Sequence, residues 1–218
     1  MAFKLFIYEH CPFCVKARMI FGLKNIDFEK IVLLNDNETD PIRMIGKKML
    51  PILEDDGRFI AESMDIVAHI DQLGTPIAPM VTGRNSTKIA NWLERVTPLF
   101  SSLIIPRIAC APFEDFATTA ARAYFISKKE AQTGLFSRWL GESESLREEM
   151  NLLLEELAPL IDESNAVNGE LSTDDFHLFA FLRSLSIVKN VYYPVEVATY
   201  LQAMSKASKI GLLDQFAV

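Results

Sequence analysis

The chain has few of the residues that bind metals or form disulfides. Its 218 residues include three cysteines and three histidines. A structural zinc site needs four such ligands, and the sequence has no second pair to complete the one that Cys11 and Cys14 would begin. The odd number of cysteines also disfavours a secreted disulfide-rich protein. A chain of this length can bury a sufficient hydrophobic core without disulfide bonds. We therefore expect neither a metal centre nor a structural disulfide.

The sequence also lacks an excess of positive charge, a long apolar run and a recognisable export signal. The formal net charge is −7 and no basic cluster would neutralise phosphates, which argues against nucleic-acid binding. No segment reaches the run of about 18 apolar residues that a membrane span needs. Lys4 interrupts the only apolar N-terminal stretch, and no cleavage pattern follows it. We expect a cytoplasmic protein that binds neither nucleic acid nor membrane.

What the sequence does have is a pair of thiols at a predicted strand–helix junction. The apolar segment 3–8 predicts a strand, and residues 11–25 predict a helix that begins at Cys11-Pro12-Phe13-Cys14. Proline is favoured in the first helical turn. The unpaired N–H groups and the dipole of a helix N-terminus favour an anion, so Cys11 should ionise below the ordinary thiol pKa of about 8.5. The pattern predicts thiol chemistry.

The predicted elements divide the chain into two domains. In residues 1–73 short strands and helices follow the order β-α-β-α-β-β-α, which is typical of a compact α/β sandwich. Within it, Glu54-Asp55-Asp56-Gly57 predicts a tight hairpin turn. Residues 74–84 predict a linker, because Pro76 and Pro79 lie close together there. From 85 to 218 the strand pattern fades and apolar residues repeat at helical spacing, which predicts an all-helical domain.

Proline and capping residues predict where some of these helices begin and end. The first is predicted to begin at Ser86, to bend at Pro98 and to end at Pro106. Ser172 and Asp175 resemble a capping box in which Asp replaces the usual Glu. Several other residues are expected to pack in the core or between the domains: Cys110, Trp92, Trp139 and the run 176–181.

Five blocks of sequence, in the right order along the chain, carry a family resemblance: 11–26, 32–36, 51–53, 62–67 and 165–172. Together they resemble the bacterial glutaredoxin 2 family. The resemblance implies a thioredoxin-like N-terminal domain followed by an all-α domain, as in the cytosolic glutathione transferases. It also implies a glutathione-dependent thiol–disulfide oxidoreductase that uses glutathione as reductant and co-substrate, without a metal.

The same resemblance implies a glutathione site around two short motifs. It implies that the Leu50–Pro51 bond is cis and that the Leu50 backbone pairs with the extended tripeptide. It implies that Ser63 and the nearby helix N–H groups hold the γ-glutamyl carboxylate, while Glu62 holds the ammonium. From residue type alone, Pro51 is simply a strand start and Ser63 a helix N-cap.

These positions predict a mechanism in which Cys11 is the nucleophile and Cys14, one helical turn further in, is the resolving thiol. Cys14 should be more buried and stay protonated until needed. In a monothiol route Cys11 captures glutathione from a mixed disulfide, and a second glutathione frees it. In a dithiol route Cys14 attacks the mixed disulfide of Cys11 with a protein, and two glutathiones later reduce the Cys11–Cys14 bond. The expected partners are glutathione and disulfide-bonded or glutathionylated proteins.

Three residues beside or between the thiols are candidates for tuning them: Tyr8, Pro12 and Phe13. Packing at the end of the strand is the alternative for Tyr8. His10 also flanks the thiols and could tune them, but it is expected to be a polar surface residue of the turn. Lys16 and Arg18 are expected to lie on a solvated helix face. His69 and His177 have no partners that the sequence identifies.

Two other functions stay open at this point. A glutathione transferase would hold an apolar co-substrate with its helical domain, and a tyrosine or serine usually helps to activate its glutathione; Tyr8 keeps this option open. A non-enzymatic partner-binding protein could use the same fold, although it would have little need of two thiols. The resemblance favours a monomer.

Overall fold

The computed structural model describes residues 3–73 and 79–218. Their contacts define two compact units. The first unit comprises Met1–Met80, Pro112–Ser127 and Ser208–Ile210, and the second comprises Val81–Ala111, Lys128–Ala207 and Gly211–Val218. Residues 74–78 of the predicted linker lie outside the described residues, and the domain boundaries inferred from sequence stay a prediction.

The first unit is built on a four-stranded mixed sheet. Its strands are β1 Phe3–Ile7, β2 Phe28–Val32, β3 Ile52–Asp55 and β4 Arg58–Ala61. Its helices include α1 Pro12–Lys24, α2 Thr39–Ile45 and α3 Ser63–Asp71. The strand order is β2-β1-β3-β4, with β1 and β2 parallel and the other pairs antiparallel. Because parallel neighbours need a crossover, α1 connects β1 to β2. The predicted α/β thioredoxin-like order is confirmed.

Turn chemistry explains the β3–β4 hairpin. Asp55 pairs with Arg58, so the loop contains only Asp56 and Gly57. Both loop residues have positive φ, 50° and 79°, as a two-residue turn of the twist-matching type requires. Asp and Gly are the residues that adopt this conformation most readily, so the hairpin prediction is confirmed.

The core of the first unit lies where α1 and α3 pack together beside the sheet. Leu5 and Ile7 of β1 and Ile20 of α1 are fully buried, and each contributes about 1.5–3 kcal/mol to stability. The backbone of Ser208 passes so close to α1 that a Cβ on Gly22 would lie 1.8 Å from its carbonyl oxygen. This contact explains why residues 208–210 belong to the first unit.

The second unit is helical. Its helices are α4 Thr87–Leu99, α5 Ile105–Cys110, α7 Phe136–Gly141, α8 Ser143–Leu157 and α9 Thr173–Leu185. Two more helices belong to both units: α6 Thr119–Thr133 begins in the first and ends in the second, and α10 Val195–Ser208 lies in the second except for Ser208. A π-helical turn, Phe100–Ile104, joins α4 to α5. The all-helical prediction for this part of the chain is confirmed by these elements.

Two expectations for this region were wrong. Pro106 does not end a helix; it lies in the first turn of α5, where a missing N–H costs nothing. Cys110 is exposed at the end of α5 and is not a core filler. Trp92, by contrast, is buried as expected, and its indole N–H donates to the Leu153 carbonyl oxygen at 2.6 Å. Within residues 3–73 and 79–218, none of the helices combines the length and apolar character that crossing a membrane would require.

Candidate active site

The turn between β1 and α1 carries both thiols. Cys11 is the residue immediately before the helix, and its N–H donates to the Tyr8 carbonyl oxygen at 3.3 Å. Pro12 occupies the first helical position and has no N–H to satisfy. The next amides, those of Phe13 and Cys14, face the Cys11 sulfur. The helix start thus directs two N–H groups and the positive end of its dipole at one sulfur atom.

The two thiols have opposite electrostatic environments. Cys11 is partly exposed, whereas Cys14 is fully buried. A hydrogen bond from the Cys14 thiol lowers the pKa of Cys11 to about 6, helped by the charge of His10 and by two backbone amides and opposed by burial. Burial, followed by the hydrogen bond and charge of Cys11, raises the pKa of Cys14. Near neutral pH the pair therefore consists of a thiolate at Cys11 and a thiol at Cys14.

His10 is buried, contrary to the expectation of a surface residue. Its side chain is paired through Nδ1 with Oδ2 of Asp115 at 2.6 Å, and the whole residue is 7% exposed. The second carboxylate oxygen of Asp115 accepts the Glu9 N–H at 2.8 Å. The prediction was wrong because the partner lies 105 residues further along the chain, where no local pattern indicates it.

The basic residues of α1 do not form a solvated face either. Lys16 is buried, and its ammonium lies 4.6 Å from the centroid of the Phe13 ring. Burial lowers the pKa of Lys16 to about 8, against the attraction of Cys11. Arg18 pairs with Glu9 at 3.1 Å. Phe13 itself is 54% exposed, so an exposed aromatic ring lies two residues after Cys11, the candidate nucleophile.

The sheet register brings the distant parts of the predicted site into one row. Phe6 of β1 pairs with Ile52 of β3, which pairs with Ala61 of β4. One step further toward the thiol turn, Pro51 and Glu62 therefore lie side by side at the same edge of the sheet as the end of β1. The peptide bond between Leu50 and Pro51 is cis, as the resemblance implied. Both residues are buried.

At the β4–α3 junction the chain turns at Glu62, whose φ is 66°. The side chain of Glu62 is exposed and pairs with Lys47 at 3.3 Å. Ser63 is buried and is the first residue of α3, so its interpretation as the helix N-cap was wrong. The left-handed backbone of Glu62 moves the N-cap position back by one residue. The hydroxyl of Ser63 and the first amides of α3 consequently lie together at this corner.

A second network surrounds Tyr8. Its hydroxyl donates to the Asn35 carbonyl oxygen at 3.5 Å, and Lys48 donates to the same oxygen at 2.7 Å. The Lys48 ammonium also lies 3.7 Å from the centroid of the Tyr124 ring. Burial, with smaller effects of Cys14 and Asp115, raises the pKa of Tyr8, so near neutral pH it is a phenol.

Sequence reasoning missed three polar residues in the hydrogen-bond networks of Tyr8 and His10: Asn35, Lys48 and Asp115. Lys48 could have been found from its place two residues before the cis proline motif, but Asp115 has no local signal. His69 does have a partner, since its Nε2 lies 2.7 Å from Oδ2 of Asp55, and His177 also makes an interaction. Over residues 3–73 and 79–218, no group of three or more His, Cys, Asp or Glu side chains is placed to hold a metal ion.

Two different family profiles match the N-terminal and the C-terminal part of the chain. Residues 88–217 match the sequence profile of the glutaredoxin 2 C-terminal domain, and residues 5–75 match that of the glutathione S-transferase N-terminal domain. The chain is 48% identical to glutaredoxin 2 of Escherichia coli strain K12 over 216 residues, covering 99% of this chain and 100% of that protein.

Solved structures agree. Glutaredoxin 2 of Salmonella typhimurium, crystallised in complex with glutathione, superposes with a TM-score of 0.97 at 50% identity, covering 100% of this chain and 99% of the other. A glutathione S-transferase of Ceriporiopsis subvermispora, at 14% identity and a TM-score of 0.71, covers 95% of this chain and 98% of its own, which shows a shared fold. On the profile match and the full-length identity, the chain belongs to the glutaredoxin 2 family.

Proposed function

We propose that this protein is a glutaredoxin, an enzyme that uses glutathione to reduce protein disulfides and glutathione mixed disulfides at Cys11 and Cys14. The observation that carries the proposal is the paired environment of the thiols: the pKa of Cys11 is lowered to about 6 while that of the buried Cys14 is raised. A thiolate is required for attack on a disulfide, and a thiol of low pKa is also a good leaving group. Cys11 meets both requirements.

Four residues form the proposed glutathione site: Leu50, Pro51, Glu62 and Ser63. The register that aligns Pro51 and Glu62 beside the thiol turn supports this assignment. Ser63 and the amides at the start of α3 suit the γ-glutamyl carboxylate, because a helix N-terminus attracts anions. Glu62 suits the ammonium. Its ion pair with Lys47 is exposed on both sides, so exchanging that partner for a ligand costs little. Glutaredoxin 2 of Salmonella typhimurium was crystallised in complex with glutathione, which supports glutathione as the ligand of this chain.

In the monothiol route the Cys11 thiolate attacks the glutathione sulfur of a mixed disulfide. A Cys11–glutathione disulfide forms, and the substrate leaves as a thiolate that takes up a proton. A second glutathione, as its thiolate, then attacks the glutathione sulfur bound to Cys11. Oxidised glutathione leaves and the Cys11 thiolate is restored. This route needs only one protein thiol.

In the dithiol route Cys11 first forms a mixed disulfide with the substrate protein. This step removes the Cys11 thiolate, whose hydrogen bond and charge are two of the causes that raise the pKa of Cys14. Cys14 therefore loses its proton more readily at the stage where it must attack the Cys11 sulfur. The substrate leaves as a dithiol, and two glutathiones reduce the Cys11–Cys14 disulfide and become one oxidised glutathione.

The proposal extends to protein partners, location and oligomeric state. The exposed ring of Phe13, close to Cys11, is suited to contact a disulfide-bonded or glutathionylated protein. A cytoplasmic location would supply the reduced glutathione that the cycle consumes. We propose that the enzyme acts there as a monomer.

The test is glutathione-dependent reduction of a small mixed disulfide by the wild type, Cys11→Ser and Cys14→Ser. Turnover should be abolished in Cys11→Ser and largely retained in Cys14→Ser, with Cys110→Ser as the control for a thiol outside the site. Near-normal activity of Cys11→Ser would overturn the assignment of the nucleophile.

The transferase alternative is tested in the same preparations with an aromatic electrophile. Its shared fold with a glutathione S-transferase favours it. Against it, the raised pKa of Tyr8 makes its phenol O–H a weaker hydrogen-bond donor to a glutathione thiolate. Conjugation that survives in Cys11→Ser and is lost in Tyr8→Phe would favour the transferase.

A further inference from the structure

The turn that carries the nucleophile candidate is anchored from a segment far away in the sequence. Asp115 is fully buried and belongs to the same compact unit as the thiols. Its carboxylate accepts the Glu9 N–H at 2.8 Å and pairs with Nδ1 of His10 at 2.6 Å. Its backbone carbonyl oxygen accepts the Asn35 N–H at 2.9 Å. One residue thus ties the two positions before Cys11 to the loop after β2.

The imidazole of His10 is enclosed by aromatic rings. The rings of Tyr8 and Phe116 stack against it with centroid distances of 5.9 and 5.0 Å. Phe125 presents its ring at 5.1 Å in an edge-to-face arrangement, and Phe113 lies at 6.1 Å. Ring faces and a carboxylate both attract positive charge. A carboxylate and four aromatic rings thus hold the imidazole that is next in sequence to Cys11.

We propose that His10 and Asp115 form a positioning pair for Cys11: Asp115 fixes the imidazole, and the imidazole holds a positive charge beside the Cys11 sulfur. The inference rests on the proposed function in that it takes Cys11 as the nucleophile. The pair acts through Cys11, and the charge of His10 is one of the causes that lower the pKa of that thiol.

Several other ionisable groups face the same region. They are Tyr8 at the end of β1, Cys14, Lys16 and Arg18 on α1, and Asp115 and Tyr124 from residues 112–127. A change at His10 alone leaves all of these in place. The variants must therefore separate the charge of the imidazole from its bulk.

The measurement is the rate of Cys11 alkylation by iodoacetamide as a function of pH, in a Cys110→Ser background so that the exposed third thiol does not contribute. His10→Gln keeps a polar group that can bond to Asp115 but removes the charge. We expect the midpoint of the alkylation profile to move to higher pH and the rate at pH 6 to fall about three- to tenfold. An unchanged or lower midpoint overturns the proposal.

Asp115→Asn gives the sharper test because the two interpretations predict opposite signs. Removing a carboxylate near a thiolate lowers the pKa of the thiol, because the Coulomb repulsion between the two negative charges is lost. If Asp115 acts through His10, its removal instead weakens the positive charge beside Cys11 and the midpoint rises. The rise should disappear in the His10→Gln background. A lower or unchanged midpoint in Asp115→Asn, or a further rise in the double variant, overturns the proposal.

A matched control is available in the same unit. His69 and Asp55 form a pair of the same chemistry at 2.7 Å, between the last turn of α3 and the end of β3. His69→Gln and Asp55→Asn should leave the Cys11 profile unchanged. If His10→Gln lowers thermal stability and leaves the Cys11 profile unchanged, the pair is merely structural and the proposal is overturned. Asp115→Asn, which keeps the shape of the carboxylate, decides the question should His10→Gln fail to fold.

Alkylation consumes no glutathione, so this inference and the proposed function fail in different assays. If the wild type shows no glutathione-dependent turnover, only the proposed function is contradicted. If the pH profile of Cys11 alkylation does not change in the His10 and Asp115 variants, only this inference is contradicted.

Discussion

Helices α1 and α9 both begin beside buried polar groups, yet their first turns are built for different purposes. At α9 the N-cap Ser172 and Asp175 form a capping box, in which each side chain accepts the backbone N–H of the other. At α1 the N-cap is Cys11, whose side chain makes no capping hydrogen bond. Its sulfur instead faces the amides of Phe13 and Cys14, which help to lower its pKa.

The difference lies in how completely each acceptor is satisfied. Asp175 is fully buried and accepts from Val167 N–H at 2.7 Å, Ser172 N–H at 2.8 Å and the Tyr200 hydroxyl at 2.9 Å. The Cys11 sulfur is partly exposed and so keeps a face open to a substrate. At α9, hydrogen bonds to buried oxygens stabilise the fold. At α1, N–H groups directed at a partly exposed sulfur activate a nucleophile.

The largest expected effect is the loss of the α9 acceptor. Asp175→Ala removes the acceptor of four buried donors, the amides of Val167 and Ser172 and the hydroxyls of Ser172 and Tyr200. A buried donor left unpaired costs about 1–3 kcal/mol. We expect the free energy of unfolding to fall by about 3–5 kcal/mol. Urea denaturation followed by tryptophan fluorescence measures it, because both tryptophans, Trp92 and Trp139, lie in the second unit.

The control for this variant is Glu144→Ala. Glu144 also lies in the first turn of a helix, α8, but is exposed, so its removal should cost less than about 1 kcal/mol. Asp175→Ala should leave the alkylation of Cys11 unchanged. If the two variants lose the same free energy of unfolding, the burial and hydrogen bonds of Asp175 do not make the start of α9 more important for stability than that of α8.

The second effect concerns the start of α1 in a protein whose only change is Cys110→Ser, so that the exposed third thiol does not contribute. With a pKa of about 6, half of Cys11 is thiolate at pH 6, against about 0.3% of an ordinary thiol. The lower basicity makes each thiolate about tenfold less nucleophilic, so the net gain in alkylation rate is about tenfold. Because the thiolate is the reactive form, the rate should rise with pH and reach half its maximum near pH 6. The same protein unfolded in urea is the control, and a folded-state midpoint above pH 8 would contradict the comparison.

Local chemistry made some of these features predictable from sequence. The position of Cys11 before α1 follows from an apolar strand, a proline and a helical pattern within one short segment. The Ser172–Asp175 box and the Asp56–Gly57 turn are likewise encoded by residues that contact one another along the chain.

Features set by tertiary contacts or by rare backbone conformations were not predictable. His10 looked like a surface residue because Asp115, which buries it, is distant in sequence. Ser63 was interpreted as the N-cap of α3, whereas the N-cap is Glu62. Nothing in the neighbouring sequence indicates the positive φ of Glu62 that causes this. Pro106 was ambiguous by nature, since proline both ends helices and occupies their first turn.

The third prediction separates the two sulfurs at α1. In Cys14→Ala the hydrogen bond that contributes most to lowering the pKa of Cys11 is lost, so the midpoint of alkylation should rise by about one pH unit. Cys14→Ser keeps an O–H donor at the same place and should shift the midpoint less. Equal shifts in both variants would mean that the hydrogen bond is not the cause and that the helix start alone activates Cys11.

The smallest expected effect is that of Ser172→Ala, which removes the N-cap oxygen but leaves Asp175 in place. The hydroxyl donates to Asp175 at 3.0 Å and accepts from the Asn168 amide at 3.0 Å. A lost N-cap costs about 1 kcal/mol in urea denaturation, and Ser145→Ala, an exposed serine of α8, should cost less. Because Asp175 still accepts the Val167 and Ser172 amides, the loss should stay well below that of Asp175→Ala. If the two losses are equal, the box acts as one cooperative network, and the start of α9 is more specialised for stability than its individual bonds indicate.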